Sequence, residues 1–275
     1  MAGPRRLRLD AELVRRGLAR SREHASDLIA ARRVTVAGAL ATKPATAITT
    51  DSAVVVREEP GHTEFVSRGG HKLEGALSAF AAHGLDVAGL RCLDAGASTG
   101  GFTDVLLRRG ARRVLAVDVG YGQLAWSIRN DERVEVHDRT NIRDLSPQIV
   151  DEPVDVVVGD LSFISLGLVL APLISVTAPE GALVLMVKPQ FEVGKDRVGK
   201  GGVVRDVALR AEAVSGVAHR AAELSWGARA VATSPLPGPS GNVEFFLLLR
   251  YGAPTLTDAQ ITAEVVAGSQ VAGHG

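Results

Sequence analysis

The sequence contains a single cysteine, Cys92, among its 275 residues. One thiol cannot form an intramolecular disulfide, so disulfide-stapled secreted proteins are excluded and a reducing cytoplasm is the expected compartment. No basic, apolar and small-residue signal opens the chain, which agrees with that compartment. Cys92 lies inside an apolar run, where a small core residue is expected, and we do not predict a cysteine nucleophile.

The sequence also lacks an uninterrupted membrane span. Residues 166–187 carry Glu180 as their sole charge, and a spanning helix needs about 20 apolar residues. However, Pro172 interrupts the stretch, and Pro179-Glu180-Gly181 is a turn signal. We therefore predict a buried helix, a turn and a buried strand there, and no transmembrane segment.

Residues with the spacing of metal ligands are missing as well. His71 and His137 would invite a metal site, but no cluster with ligand spacing surrounds them. No metal is therefore expected.

The net charge is zero, yet the charges are unevenly distributed along the chain. Residues 1–60 hold 11 Lys and Arg against 7 Asp and Glu, whereas the remainder holds 20 against 24. A basic front end on an acidic body indicates a nucleic-acid-facing module joined to a second domain. An ordinary solvated charged face is the alternative for so small an excess.

The basic front end has the pattern of a small α+β domain. Residues 9–17 and 21–33 place apolar side chains at helical spacing, and Ser21 is a good N-cap for the second helix. The following residues alternate around Ala37-Gly38 as a hairpin, and "AVVVRE" is predicted to be a further strand.

The stretches "RLDAELVRRGLARSREHASDLI" and "RVTVAG" resemble the S4 RNA-binding domain, in which a helix pair presents arginines to structured RNA. Ala31 stands in place of a common glycine of that family, and Ala37 in place of a common turn asparagine. The domain needs cations on one face and no catalytic group, because its contacts are to phosphates. The resemblance implies RNA contacts at Arg8, Arg20, Arg22, Arg32, Arg33 and Lys43. An ordinary arginine-rich surface is the alternative.

A linker with proline, glycine and charge, "EEPGHTEF", precedes a second domain. We place the RNA-binding domain at residues 1–59, the linker at 60–66 and the second domain at 67–275.

The second domain shows apolar strands that do not alternate and that end near an acid or a base. They are "LRCLDAG", "RRVLAVDVG", "RVEVHDR", "VDVVVGD", "GALVLMVK" and "NVEFFLLLR", with helices predicted near 71–83, 101–109, 122–130, 165–176 and 206–225. Such strands indicate an α/β fold with a parallel sheet covered on both faces, whose ligands bind beyond the carboxyl ends of the strands. After Tyr251 the Gly/Ala-rich composition predicts at most one short helix.

The loop "LDAGASTGG" follows the first of these strands and lacks the second glycine of a dinucleotide fingerprint, because Ser98 occupies that position. Asp94 precedes the glycine turn, where it can reach a ligand's ammonium, and Asp118 ends the second strand, where it can accept from ribose hydroxyls. These features favour S-adenosylmethionine over NAD. The predicted donor-binding residues are Asp94, Gly96, Ala97, Ser98, Gly100, Asp118, Asp138 and Asp160. Asp138 has an alternative interpretation as an ion-pair partner of Arg139 or Arg143.

Four further stretches are "VSRGGHKL", "GDLSFISL", "VKPQFEVGK" and "PLPGPSGNVEFF". Together with the front domain they resemble the TlyA family of rRNA 2′-O-methyltransferases, whose catalytic domain is FtsJ-like. The resemblance covers about residues 6 to 251 and implies a Rossmann-like class I methyltransferase sheet of seven mostly parallel strands. It also implies a K-D-K-E tetrad, which falls by position on Lys72, Asp160, Lys188 and Glu244.

Ribose methylation calls for such residues, since a 2′-hydroxyl is a poor nucleophile that must meet the sulfonium methyl in line. A lysine at the end of a buried strand is partly desolvated, which suits a base or an oxyanion-stabilising charge. We therefore predict that Lys188 orients the hydroxyl and deprotonates it or stabilises the oxyanion, while Asp160 faces donor and hydroxyl. Lys72 and Glu244 would fix Lys188 and bind the ribose phosphate.

The resemblance implies cytidine of small- and large-subunit rRNA as the target, S-adenosylmethionine as the cofactor and ribosomal subunits as partners. Arg68 and the glycine-rich residues 191–204 are further RNA-contact candidates, although a disordered surface loop is nearly as good an interpretation of the latter. We expect a cytoplasmic enzyme, with a monomer favoured. The alternatives are a membrane-active haemolysin, an inactive rRNA-binding or ribosome-assembly factor, and a hydride-transferring enzyme.

Overall fold

The computed structural model describes residues 6–19, 21–57 and 65–272, and the chain divides into two compact units, Met1–Glu64 and Phe65–Gly275. Arg20 and most of the predicted linker at 60–66 lie outside the described residues. Each unit has a hydrophobic core of its own.

The first unit is a small α+β domain built around two helices. Its elements are β1 (Arg6–Arg8), α1 (Leu9–Arg15), α2 (Arg22–Ala30), β2 (Val34–Val36), β3 (Ala39–Leu40), β4 (Ala47–Thr49) and β5 (Val54–Val56). Strands β3, β2 and β5 form an antiparallel sheet in that order, and β1 pairs with β4. The two helices bury Leu9, Leu13, Leu28 and Ile29 in one core, so the predicted helical spacing is confirmed.

Two local signals of the sequence are visible in the backbone of this unit. The Ser21 hydroxyl accepts a hydrogen bond from the backbone N–H of His24 at 3.1 Å, which confirms the predicted N-cap. Ala37 and Gly38 have positive φ angles of 48° and 81° and connect β2 to β3 as the predicted hairpin turn. Alanine adopts this left-handed conformation at a cost, because its Cβ approaches the following carbonyl.

The second unit is an α/β domain with one large sheet. Its strands are β6 (Arg91–Ala95), β7 (Arg113–Val117), β8 (Val134–His137), β9 (Val154–Gly159), β10 (Thr177–Val187), β11 (Trp226–Thr233) and β12 (Phe245–Tyr251). Its helices are α3 (Gly69–Phe80), α4 (Gly101–Arg108), α5 (Trp126–Arg129), α6 (Leu170–Ser175), α7 (Pro189–Glu192), α8 (Val207–Glu223) and α9 (Asp258–Ala272).

The seven strands are ordered β11-β12-β10-β9-β6-β7-β8. Strands β6 to β10 are paired in parallel, whereas β12 is antiparallel to both of its neighbours. Successive residues of β6 face opposite sides, since Leu93 packs in one core and Cys92 in the other. The predicted sheet of seven mostly parallel strands, covered on both faces, is thereby confirmed.

Three elements differ from the sequence-based predictions. Strand β11 is not predicted, because its alanine-rich run "WGARAVAT" has a weak strand signal. Helix α9 is 15 residues long, and its buried Ile261 and Val265 show that packing stabilises a segment whose composition predicts little helix. The predicted turn at Pro179–Gly181 lies inside β10, where the register shifts between Thr177 and Ala182.

Cys92 is fully buried in β6, and burial raises the pKa of its thiol to about 12. The thiol therefore stays protonated and unreactive at neutral pH. In the described part of the chain, no helix is long and apolar enough to cross a membrane. Within the same residues, no three His, Cys, Asp or Glu side chains are grouped to hold a metal ion.

We expect Ala37→Asn to stabilise the first unit, because asparagine tolerates a φ of 48° better than alanine does. The expected gain in the free energy of unfolding is about 0.5–1 kcal/mol. Hydrogen–deuterium exchange of peptides from residues 6–57 measures it as slower exchange at β2 and β3. Ala39→Asn is the matched control, since Ala39 is exposed in β3, and equal effects of the two substitutions would contradict this explanation.

Candidate active site

One edge of the large sheet collects three of the predicted catalytic residues. Asp160 follows β9, and Lys188 follows its neighbour β10. On the other side of β10, Val187 is paired with Phe245 of β12, so the next position of that register sets Lys188 opposite Glu244. Adjacent strands are about 4.8 Å apart, and the three side chains therefore start from neighbouring backbones.

Lys72 joins this edge from the first turn of α3 and pairs with Glu244. Its Nζ donates a hydrogen bond to Oε2 of Glu244 at 2.6 Å, and the two residues are only 6% and 1% exposed. Oε1 of Glu244 is buried and accepts no hydrogen bond from a described residue. Gly238 packs against this oxygen so closely that a Cβ there would lie 2.5 Å from it. Glu244 thus keeps one acceptor oxygen in an enclosed, charged site.

Lys188 forms a second ion pair with Asp160. Its Nζ lies 2.6 Å from Oδ1 of Asp160, yet among the described residues no donor reaches this oxygen with hydrogen-bond geometry. The same Nζ donates a hydrogen bond to Oγ of Ser162 at 2.7 Å. The Lys188 side chain is 9% exposed and that of Asp160 is 24% exposed. The Lys188 ammonium is therefore the more buried partner of this ion pair, and the Asp160 carboxylate is the more accessible one.

Asp94 lies in β6, beneath the glycine loop, and is fully buried. Its Oδ2 accepts a hydrogen bond from the Thr103 hydroxyl at 2.7 Å, whereas Oδ1 has no donor among the described residues. Burial raises the pKa of Asp94 to about 7, and the charges of Asp160 and Asp118 act in the same direction. A buried carboxyl with a spare oxygen is suited to pairing with a cation.

The loop from β6 to α4 turns on residues with positive φ. The angles are 85° at Gly96, 47° at Ser98 and 94° at Gly100. A Cβ on Gly96 would lie 3.0 Å from the carbonyl oxygen of Asp160, so glycine allows the two loops to approach this closely. The backbone N–H of Ser98 donates to Oδ2 of Asp118 at 2.8 Å, which ties the loop to the end of β7.

Asp118 and Ala97 hold this loop from two further sides. Oδ1 of Asp118 accepts a hydrogen bond from the backbone N–H of Gly120 at 2.6 Å. Ala97 is buried in the core, and its backbone N–H donates to Val117. The predicted donor-binding residues Asp94, Gly96, Ala97, Ser98, Gly100 and Asp118 are therefore adjacent at the carboxyl ends of β6 and β7.

Asp138 follows β8 and forms an ion pair with an arginine. Its Oδ2 accepts a hydrogen bond from the Arg129 guanidinium at 3.0 Å. The alternative interpretation of Asp138 as an ion-paired residue is correct in kind but wrong in the partner, which is neither Arg139 nor Arg143. The Arg139 guanidinium lies over the ring of Tyr121, 4.3 Å from its centroid.

Phe163 is a residue of the site that the sequence pattern does not reveal. It is 91% exposed, has a φ of 64° and lies close to Phe191, with ring centroids 5.3 Å apart. An exposed aromatic ring beside Asp160 and Ser162 offers a flat surface to a planar ligand. The available signal is the run "DLSFIS", in which a phenylalanine interrupts polar residues directly after a strand-end acid.

The glycine-rich residues 191–204 form a bridge and a buried anchor. Gly199 pairs with Val203 as an isolated β-bridge. The backbone N–H of Val204 donates to the buried Asn242 side chain at 2.9 Å, and the Asn242 amide donates to the carbonyl of Gly202 at 2.8 Å. The end of this segment is thus hydrogen-bonded to the residues just before β12, which include Glu244.

Arg68 lies at the N-cap of α3 and directs its guanidinium toward the segment before Glu244. Its Nη2 donates to the carbonyl of Pro237 at 3.3 Å. The RNA-contact candidate Arg68 is therefore close to the same edge of the sheet as Lys72 and Glu244.

In the first unit, Asp10 organises two of the predicted RNA-binding arginines. Its buried carboxylate accepts hydrogen bonds from Arg8 at 2.9 Å and from Arg22 at 2.9 Å, while the arginine side chains are 52% and 60% exposed. The hydrogen bonds from Arg8 and Arg22 hold the pKa of Asp10 well below its usual range. Two guanidinium groups are thereby held side by side at the surface.

The other predicted RNA-binding cations of the first unit fall into three groups. Arg32 and Lys43 are exposed. Arg33 is only 8% exposed, and its Nε donates to the carbonyl of Arg57 at 2.9 Å, so it presents much less surface than Arg32 and Lys43 do. Arg20 lies outside the described residues.

Comparison with known proteins identifies the families of both units. A model of FtsJ-like methyltransferases matches residues 65–251, and a model of the S4 domain matches residues 7–54. A Mycobacterium tuberculosis protein, 16S/23S rRNA (cytidine-2'-O)-methyltransferase TlyA, is 58% identical over 260 residues, which cover 94% of each chain.

Two further relatives carry the name hemolysin. Hemolysin A of Brachyspira hyodysenteriae is 38% identical over 87% of this chain and 98% of its own. A solved structure from Streptococcus thermophilus, named as a candidate hemolysin, is 34% identical with a TM-score of 0.75, over 98% of this chain and 97% of its own. With both domain types and a TlyA relative matched over most of its length, the chain belongs to the TlyA family of FtsJ-like methyltransferases.

Proposed function

We propose that this protein transfers a methyl group from S-adenosylmethionine to the 2′-hydroxyl of cytidine in rRNA. The observation that carries the proposal is the position of two ion pairs, Lys72–Glu244 and Asp160–Lys188, at one edge of the sheet. These four side chains are the ones that the resemblance to FtsJ-like enzymes assigns to the K-D-K-E tetrad. The Mycobacterium tuberculosis relative is named for cytidine in 16S and 23S rRNA, which supports both subunits as targets.

The donor site proposed for S-adenosylmethionine lies at the ends of β6, β7 and β8. When bound, this cofactor supplies an electrophilic methyl group on a positively charged sulfur. The unpartnered oxygen of Asp94 fits the cofactor's ammonium, and the positive-φ loop leaves room for its carboxylate. The residues proposed to hold it are Asp94, Gly96, Ala97, Ser98, Gly100, Asp118, Asp138 and Asp160.

The acceptor site proposed for the ribose lies at the ends of β9 and β10. The Lys188 ammonium, held beside Asp160, is placed to orient the hydroxyl and stabilise the developing oxyanion. The more exposed Asp160 is then the group placed to accept the hydroxyl proton. The buried Lys72–Glu244 pair lies beside Lys188 and is proposed to bind the phosphate of the target ribose.

The first unit is proposed to bind the rRNA that presents the target nucleotide. Arg8 and Arg22, fixed by Asp10, and the exposed Arg32 and Lys43 supply phosphate contacts. We propose an RNA-binding domain at residues 1–59, a linker at 60–66 and a methyltransferase domain at 67–275, in a cytoplasmic and monomeric enzyme.

The decisive experiment is transfer of tritiated methyl groups from S-adenosylmethionine to purified ribosomal subunits and naked rRNA. We expect ribose-methylated cytidine in the digested product, and a fall in kcat of about 100-fold or more for Lys188→Ala. Arg112→Ala, which removes an exposed charge elsewhere, is the control. Base methylation alone would overturn the proposal, as would near-normal transfer by Lys188→Ala. Dye release from liposomes without methyl transfer would instead support a membrane-active protein.

We expect Asp94→Asn to weaken binding of S-adenosylmethionine by about tenfold or more, because the variant lacks the charge that faces the ammonium. Wild-type affinity should rise with pH through about 7, where Asp94 ionises, and the affinity of the variant should not. Isothermal titration between pH 5.5 and 8.5 measures both. Equal pH dependence of the two proteins would contradict the assignment.

The same substitution should affect stability in the opposite direction. Because the pKa of Asp94 is raised on folding, stability is lost as pH rises from about 4 through about 7. Asp94→Asn should therefore raise Tm relative to wild type more at pH 8 than at pH 5, by about 2–4 °C for each kcal/mol recovered. The exposed Asp144→Asn serves as the control.

For the RNA-binding face, we expect the double variant Arg8→Ala and Arg22→Ala to bind rRNA more weakly. The slope of log affinity against log salt should fall by about 1 for each phosphate that is no longer neutralised. Arg112→Ala removes an exposed charge from the second unit and should leave the slope unchanged. An unchanged slope in the double variant would place the RNA contacts elsewhere.

A further inference from the structure

Ser162 is an exposed residue outside the tetrad that nevertheless contacts Lys188. Its Oγ accepts a hydrogen bond from Nζ of Lys188 at 2.7 Å. Oδ1 of Asp160 lies at a similar distance, 2.6 Å, but in the described part of the chain it receives no hydrogen bond of acceptable geometry. Of the two contacts, the one to the serine hydroxyl has hydrogen-bond geometry and fixes the direction of an N–H, whereas the carboxylate adds charge from a less well aligned position.

Direction matters because an ammonium group has three equivalent N–H donors that rotate about the Cε–Nζ bond. A Coulomb contact fixes the distance of a charge and leaves that rotation free. A hydrogen bond fixes one N–H, and the tetrahedral geometry then confines the other two to defined positions. Methyl transfer in line depends on such positions, and a displacement of about 1 Å can lower the rate by about 100-fold.

The loop that carries Ser162 is held to the segment that carries Lys188. Glu192, in the short helix directly after Lys188, accepts hydrogen bonds from the Ser165 hydroxyl at 2.6 Å and from the Leu166 backbone N–H at 2.8 Å. In the same loop, Phe163 has a left-handed φ of 64° and packs on Phe191. The segments that carry the donor Lys188 and the acceptor Ser162 are therefore held together by the Glu192 hydrogen bonds and the Phe163–Phe191 contact.

We propose that Ser162 is a positioning residue of the methyl transfer. Its hydroxyl fixes the rotation of the Lys188 ammonium so that one N–H is presented to the 2′-oxygen. This inference rests on the proposed function and adds the group that orients its central lysine.

Ser162→Ala removes the acceptor, and Ser162→Thr keeps a hydroxyl at the same position. We expect kcat to fall about 10- to 100-fold in Ser162→Ala, with the KM for rRNA and the Kd for S-adenosylmethionine changed less than about twofold. Ser162→Thr should recover most of the kcat. The exposed Ser175→Ala, at the end of α6, is the matched control and should behave as wild type. Normal kcat in Ser162→Ala, a change in KM alone, or a threonine variant as slow as the alanine variant would each overturn the proposal.

A second measurement does not depend on activity. The chain has five lysines, so the side-chain ammonium signals of ¹⁵N-lysine-labelled protein can be resolved, and Lys188→Arg identifies that of Lys188. We expect this signal to be slow in hydrogen exchange in wild type and Ser175→Ala, and broadened beyond detection in Ser162→Ala. If wild type does not methylate rRNA, the proposed function fails, and the ammonium signal then decides only whether Ser162 orients Lys188. An unchanged Lys188 signal in Ser162→Ala would overturn the proposal.

Discussion

The buried ion pair between Lys72 and Glu244 connects the first helix of the second unit to its last strand, across 172 residues of sequence. Removing one partner of such a pair costs about 3–5 kcal/mol, because the other charge is left buried and unpaired. The same contact therefore links the first turn of α3 to the residue opposite Lys188. The apolar face of α3 packs in the core, and the ion pair fixes its polar first turn at the charged edge of the sheet.

The two ion pairs at this edge differ in how they meet solvent. Lys72 and Glu244 are enclosed and joined by a hydrogen bond, so their geometry is fixed before any ligand arrives. Asp160 is partly accessible and forms an ion pair with Lys188 that is less well aligned than a hydrogen bond. The Lys72–Glu244 pair supplies fixed charge, and Asp160 supplies an accessible carboxylate. Such a combination fits the proposed reaction, which must bind a phosphate-linked sugar and also accept a proton.

The strand pattern of the sequence predicts the large sheet and the edge at which Asp160 and Lys188 lie, because parallel strands bring their polar ends to one edge whatever the loops do. The tetrad as a whole, with Lys72 on a helix and Glu244 before an antiparallel strand, comes from the resemblance to FtsJ-like enzymes. The strand pattern does not predict Ser162 or Phe163, since their loop takes its conformation from Glu192, whose contact with Ser165 spans 27 residues. The burial of Arg33 is missed for a related reason. Arg33 belongs to an arginine-rich run, but its Nε donates to the carbonyl of Arg57, which follows β5. Contacts between distant segments are invisible to local pattern.

Gly96 lies in the loop between β6 and α4, and Asp160 lies in the loop after β9. These two loops approach closely, since a single added carbon at Gly96 would lie 3.0 Å from the Asp160 carbonyl oxygen. The backbone N–H of Asp160 also donates to the carbonyl of Ala95 at 3.2 Å, so the two loops are joined beside this contact. On the proposed function, a ligand that reorders one loop therefore acts on the other. If the protein binds a methyl donor and RNA as proposed, thermodynamic reciprocity requires that the factor by which the donor changes the affinity for RNA equals the factor by which RNA changes the affinity for the donor.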